Sequence, residues 1–174
     1  MTGDSKGAEV GEALFYMFSE RARRVVAHAH HEAYARHSEY IGTAHLLLGL
    51  IRDSDVARML QVLGADPRAV RRHVEHTIGR AQRVASRELP VTPQARKALD
   101  RSLHEARRRG HDLVDAEHVL YGLISEANSS AAKAVTVVGA RPARIIDHLF
   151  LLWGPPNPGS PVAPPKPHPP RARR

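Results

Sequence analysis

Apolar residues return at helical spacing along two long stretches of the chain. Ala22, Val25, Val26, Ala29 and Ala33 follow i, i+3, i+4, i+7, i+11 spacing, so they share one helix face. Ala95, Leu99, Leu103 and Ala106 draw the same stripe further on. Ser19 stands before the first stripe as an N-cap. Thr92 caps the second, with Pro93 at its first helical position and Gly110 at its end. Thr43 and Asp115 precede two short apolar phrases, "AHLLLGLI" and "AEHVLYGLI". Ser54 and Ser129 precede "DVARMLQVLG" and "SAAKAVTVVG", which close on Gly64 and Gly139, and Pro67 and Pro142 then open a fourth helix in each half. Strand signals are almost absent. The pattern predicts an all-α domain over about residues 15–153, with eight helices, four in each half.

The two halves are copies. Residue 18 aligns with residue 91 without a gap through about residue 54. Ala22/Ala95, Glu32/Glu105, His45/His118, Gly49/Gly122 and Ile51/Ile124 match at an offset of 73. An insertion near Asn128 moves the offset to 75, at which Gly64/Gly139, Pro67/Pro142 and His73/His148 match. A four-helix unit therefore occurs twice, at about residues 18–79 and 91–153. One unit exposes an apolar face, and two bury those faces on each other. The unit is too long for a TPR or ankyrin repeat, and two copies make a closed domain rather than a solenoid. His45 and His118 recur inside the apolar phrases. Their expected role is structural, an imidazole bonding a backbone group across helices.

Composition refines this picture at the ends. Nine of the 13 prolines fall between Pro155 and Pro170, so residues 154–174 are expected to be a disordered, proline- and arginine-rich tail. Residues 1–14 read as a disordered arm. No apolar run approaches the roughly 18 residues of a membrane span, and no secretory pattern opens the chain, so a cytoplasmic protein is expected. The absence of cysteine excludes disulfides and thiolate chemistry. The net charge of +8 permits a nucleic-acid partner, but no recognised binding motif accompanies it. His28 and His31 lie one turn apart and lack the further ligands that a metal site needs, so no metal or cofactor is expected. No G-x-x-x-x-G-K-[ST] occurs, and no serine sits in a nucleophile elbow, so neither nucleotide hydrolysis nor a catalytic residue is expected.

"FSERARRVVAHAHHEAYARHSEYIGTAHLLLGLI" and "VTPQARKALDRSLHEARRRGHDLVDAEHVLYGLI" resemble the double repeat of the Clp N-terminal domain, as found in ClpC/ClpA-type AAA+ unfoldases. The family reads roughly F-T-x-R-A at its first helix and G-T-E-H-[IL]-L-L-G-L at its second. The resemblance implies an eight-helix, pseudo-twofold fold, here as a free-standing domain without the ATPase modules. It implies a non-enzymatic protein- and peptide-recognition module that meets a ClpC-type unfoldase, its adaptors or its substrates. Sequestration of Clp-targeting cyclic peptide antibiotics is an alternative, and nucleic-acid binding a more distant one.

The resemblance also implies sites. Phosphoarginine, a degradation mark in the ClpC branch, needs a helix start for its phosphate and a carboxylate for its guanidinium. Thr92 and Glu117 keep that pair in the second half. Ser19 keeps a hydroxyl in the first half, but Ala44 stands where the family has glutamate, and Asp115 replaces the family glycine. At most one site is therefore expected, at Thr92 and Glu117. A cyclic peptide would meet Phe15, Arg23, Arg96, Leu99 and Asp100, although Val91 replaces an aromatic that the family often has.

Overall fold

The computed structural model describes residues 16–79 and 89–157. The N-terminal arm with Phe15, and most of the proline-rich tail, lie outside the described residues. Eight helices follow in order among the described residues: α1 (Glu20–Ala35), α2 (Thr43–Leu50), α3 (Ser54–Val62), α4 (Pro67–Ile78), α5 (Pro93–Arg109), α6 (Ala116–Ile124), α7 (Ser130–Val138) and α8 (Pro142–Trp153). The Ser19 and Thr92 hydroxyls accept the amides of Ala22 and Ala95, each at 3.1 Å. Ser129 caps α7 in the same way, through Ala132. Two starts fall one residue earlier than the pattern predicts. Asp53, not Ser54, caps α3, because its carboxylate accepts the amides of Asp55 and Val56 and suits the positive end of the helix dipole. Gly42, not Thr43, takes the cap position of α2 and has no side chain to offer.

The two histidines explain how those apolar helices begin. His45 Nδ1 accepts the Gly42 amide at 3.1 Å, and His118 Nδ1 accepts the Asp115 amide at 2.9 Å. The expected backbone bond exists, but it is local to the helix start rather than made across helices. A buried ring thereby satisfies an amide that neighbouring apolar side chains shut away from water.

All eight residues of α2 are buried, as are eight of the nine in α6, so these two helices form the centre of the core. α1 lies across α2 and α5 across α6. The approach is close enough to demand glycine: a Cβ on Gly49 would stand 2.3 Å from the Val25 carbonyl oxygen, and one on Gly122 2.1 Å from that of Ala98. Small residues on the facing helices, Ala22, Ala29 and Ala33 in α1 and Ala95, Ala98 and Ala106 in α5, serve the same approach. The halves then interlock, α1 also touching α6, α5 touching α2, and α7 packing on both α2 and α4. Among the described residues no helix is long and apolar enough to cross a membrane.

Candidate functional site

The chain segments that lead into α1 and α5 cross to the opposite repeat. The Ser19 amide donates to the Val114 carbonyl at 2.8 Å, and the Val114 amide to Met17 at 2.7 Å. The Thr92 amide donates to Ile41 at 3.0 Å, and the Ile41 amide to Pro90 at 2.8 Å. Each pair is a short parallel bridge, Phe18 to Val114 and Val91 to Ile41. Two equivalent junctions result. The start of α1 meets the start of α6, and the start of α5 meets the start of α2.

Charge fills the first junction. Arg21, in the first turn of α1, places its guanidinium between Asp53 at 2.7 Å, Glu117 at 2.9 Å and Asp115 at 3.2 Å, with Asp55 at 3.6 Å. The Ser19 hydroxyl donates to Asp115 at 2.7 Å. The Arg21 side chain is only 28% exposed and that of Glu117 only 11%. Hydrogen bonding to Asp53, opposed by burial and reinforced by Glu117, holds the proton on Arg21 well above the usual arginine range. Burial would raise the Asp53 carboxyl, but bonds from Arg21 and from the Val56 and Asp55 amides outweigh it and hold the group below its ordinary range.

The second junction carries none of this charge. At the offset of 73, Gln94 stands where Arg21 stands, and Ala44 where Glu117 stands. Thr92, Gln94, Thr43, Ala44 and His45 instead line an open cleft of about 720 Å³, together with Arg36, Tyr40 and Ile78. Thr43 and His45 in its wall are each 3% exposed, and among the described residues neither Thr43 Oγ1 nor His45 Nε2 has a hydrogen-bond partner. Burial, reinforced by Arg36, lowers the His45 pKa to about 4, so the ring is neutral at pH 7.

Residues 17–142 match the family described as the Clp repeat (R) N-terminal domain. The chain belongs to this family. It is 38% identical over 152 residues to the negative regulator of genetic competence ClpC/MecB of Bacillus subtilis, covering 86% of this chain but 19% of that protein. Among solved structures it resembles the N-terminal domain of the chaperone ClpD from Arabidopsis thaliana, with a TM-score of 0.64 and 22% identity over 80% of this chain and 99% of that one. It also resembles the ClpV N-domain in complex with a VipB peptide, with a TM-score of 0.64 and 13% identity over 80% and 89% of the two chains. These structural likenesses support the all-α fold.

Placed on this Clp N-domain, the expected site residues separate. Thr92 lines the cleft at the second junction, and Glu117 bonds Arg21 at the first. The pairing expected within repeat 2 is thus built crosswise: Ser19 shares a junction with Asp115 and Glu117, whereas Thr92 faces Ala44. The physical reason is the crossing of the entry segments, which hands each helix start to the other repeat. Asp115 does not stand there as a lone negative charge, because Arg21 and Ser19 bond it. Of the residues expected to hold a cyclic peptide, Arg23, Arg96 and Asp100 are exposed, Leu99 is buried in the core, and Phe15 lies outside the described residues. Among the described residues no three His, Asp or Glu side chains gather as a metal site requires, and His28 and His31 gain no third ligand. Sequence reasoning passed over Arg21, Asp53 and Gln94. A signal existed: within a run of matched positions, Arg21 and Gln94 differ, and so do Glu117 and Ala44.

Proposed function

We propose that this chain is a recognition module of the Clp system that binds segments of substrates or adaptors for a ClpC-type unfoldase and performs no chemistry on them. The observation that carries the reading is the junction of Ser19, Arg21, Asp115 and Glu117. A helix start and a fixed guanidinium lie beside two carboxylates, so one small site offers both signs of charge. Phosphoarginine carries both signs as well. Its phosphate would take the Ser19 end of α1 and Arg21. Its guanidinium would take the acceptor positions that Glu117 and Asp115 have left over, since several carboxylates surround the single Arg21. The mark would therefore be read at Ser19 and Glu117. The junction at Thr92 has Ala44 in place of Glu117 and Gln94 in place of Arg21. That a ClpV N-domain forms a complex with a VipB peptide is in keeping with peptide recognition on this fold.

Calorimetry with free phosphoarginine tests the reading. One site is expected, lost in Glu117→Gln and retained in Thr92→Ala. Two equivalent sites, or one that survives Glu117→Gln and disappears in Thr92→Ala, would sink it. A phosphate-release assay with purified protein and ATP is expected to show no turnover.

A further inference from the structure

The internal repeat supplies a control for the cleft at the second junction, because repeat 2 shows how the same pocket is filled when it is filled. There, His118 Nε2 lies 2.7 Å from His111 Nδ1. Since His118 Nδ1 accepts the Asp115 amide, the neutral ring carries its proton on Nε2 and donates it to His111. Trp153 stacks on His118 with ring centroids 4.6 Å apart and planes 10° apart. Arg109, below them, bonds Glu105 through Nε at 2.7 Å and lies 4.4 Å over the Phe150 ring.

Each filler has lost its counterpart in repeat 1. Ser38 stands for His111 at the offset of 73, and Ile78 and Glu75 stand for Trp153 and Phe150 at the offset of 75. The register is secure, because Ile78 and Trp153 each end a helix and each is followed by a glycine of positive φ, Gly79 at 60° and Gly154 at 74°. His45 is bonded through Nδ1 as His118 is, so its Nε2 also carries the proton, but among the described residues no acceptor meets it. Arg36 Nε, equivalent to the bonded Nε of Arg109, makes no hydrogen bond among the described residues but stands 3.9 Å from Glu32, the match of Glu105. Ser38, Ile78, His45 and Arg36 all line the cleft. The cavity is thus the space of a missing ring and a missing acceptor, and the buried His45 Nε2 donor is left unsatisfied where that acceptor would be.

We infer that this cleft is a subsite for an aromatic side chain of a bound peptide, its ring stacked on His45 and a neighbouring acceptor taking the proton of His45 Nε2. The occupant has the chemistry of the residues that fill the matching place in repeat 2, a planar ring with a nitrogen or carbonyl acceptor beside it. The inference rests on reading the chain as a peptide-recognition module, but it concerns the junction that Arg21 and Glu117 do not reach.

N-acetyl-histidyl-tryptophan amide, which carries both missing groups, is the probe. Titrated into the full chain and followed by amide chemical shifts, it is expected to give saturable changes centred on Tyr40, His45, Ile78 and Thr92. N-acetyl-alanyl-alanine amide is expected to give none. Ser38→His with Ile78→Trp installs the repeat 2 filling in repeat 1, and should weaken probe binding at least about tenfold while raising the melting temperature. Ile78→Trp alone serves if the double variant does not fold, and should weaken binding in the same direction. No saturable shifts, shifts centred on His118 and Trp153, or affinity unchanged in both filled variants would overturn the inference. Phosphoarginine binding reads Glu117 at the other junction, so its loss or survival is scored separately.

Discussion

At the start of α1, Arg21 holds three carboxylates from both repeats; at the start of α5, Gln94 borders an open cleft. Counted by repeat, the contrast reverses at the starts of α2 and α6. His118 in repeat 2 is bonded to His111 and covered by Trp153, whereas His45 in repeat 1 has Ser38 and Ile78 beside it in the cleft wall. The backbone features, by contrast, are kept in both copies: the hydroxyl caps, the histidine that accepts an amide, the glycine at the helix crossing. Those features meet needs that any copy of this backbone has, namely orphan amides and a carbonyl that no Cβ can approach. Side-chain fillings answer to one location only, so the copies are free to diverge there.

Breaking a shared feature should hurt both halves alike and hurt most. Gly49→Ala and Gly122→Ala each drive a methyl group onto a backbone carbonyl, where only a shift of a whole helix gives relief. Each is expected to cost about 3 kcal/mol or more in denaturant unfolding. A tolerated Gly49→Ala would mean that α1 and α2 can part where α5 and α6 cannot.

The shared histidines come next. Burial lowers the folded pKa of both His45 and His118 to about 4, from the ordinary 6.5. The unfolded chain therefore binds more protons between these values. Stability is full above pH 6.5, falls as the pH drops towards 4, and levels off below that for these two groups. About 2–3 kcal/mol is expected for each ring across this window, read from unfolding free energies at several pH values. His45→Gln and His118→Gln should each remove roughly half of the slope between pH 6.5 and 4. A slope that survives the double variant would assign it to other groups.

The divergent positions sharpen the comparison. Arg21→Met leaves Asp53, Asp115 and Glu117 without their cation, and should cost about 2 kcal/mol, discounted for the partial exposure of the cluster. Gln94→Met, at the equivalent exposed position, should stay within about 0.5 kcal/mol. Equal losses would deny that charge holds one junction more than the other. Trp153→Ile with His111→Ser converts the filling of repeat 2 into that of repeat 1, and should lower stability by about 1–2 kcal/mol while opening a cleft beside His118. The last test is constructive. Ala44→Glu alone buries an unpaired acid; adding Gln94→Arg restores the partner found at the first junction. A double-mutant cycle should give a favourable coupling of about 1 kcal/mol. No coupling would mean that the second junction lacks the geometry of the first.

The amino-acid sequence by itself determined the helices, four of the six caps read from it, the duplication and the buried stripes. These follow from interactions within a few residues of each other, which periodicity and capping chemistry report directly. It placed the caps at Gly42 and Asp53 one residue late, because a hydroxyl follows each true cap, Thr43 after Gly42 and Ser54 after Asp53, and His45 and the Asp53 carboxylate satisfy those amides instead. Tertiary structure alone decided which side chains form a site. Thr92 and Glu117 belong to the same repeat and the same motif, yet the entry segments cross, so Glu117 joins Ser19 and Arg21 while Thr92 joins Ala44 and His45. No local rule contains that crossing. It arises because each repeat can bury its apolar helices only against the other, and in doing so lends its helix start to its neighbour.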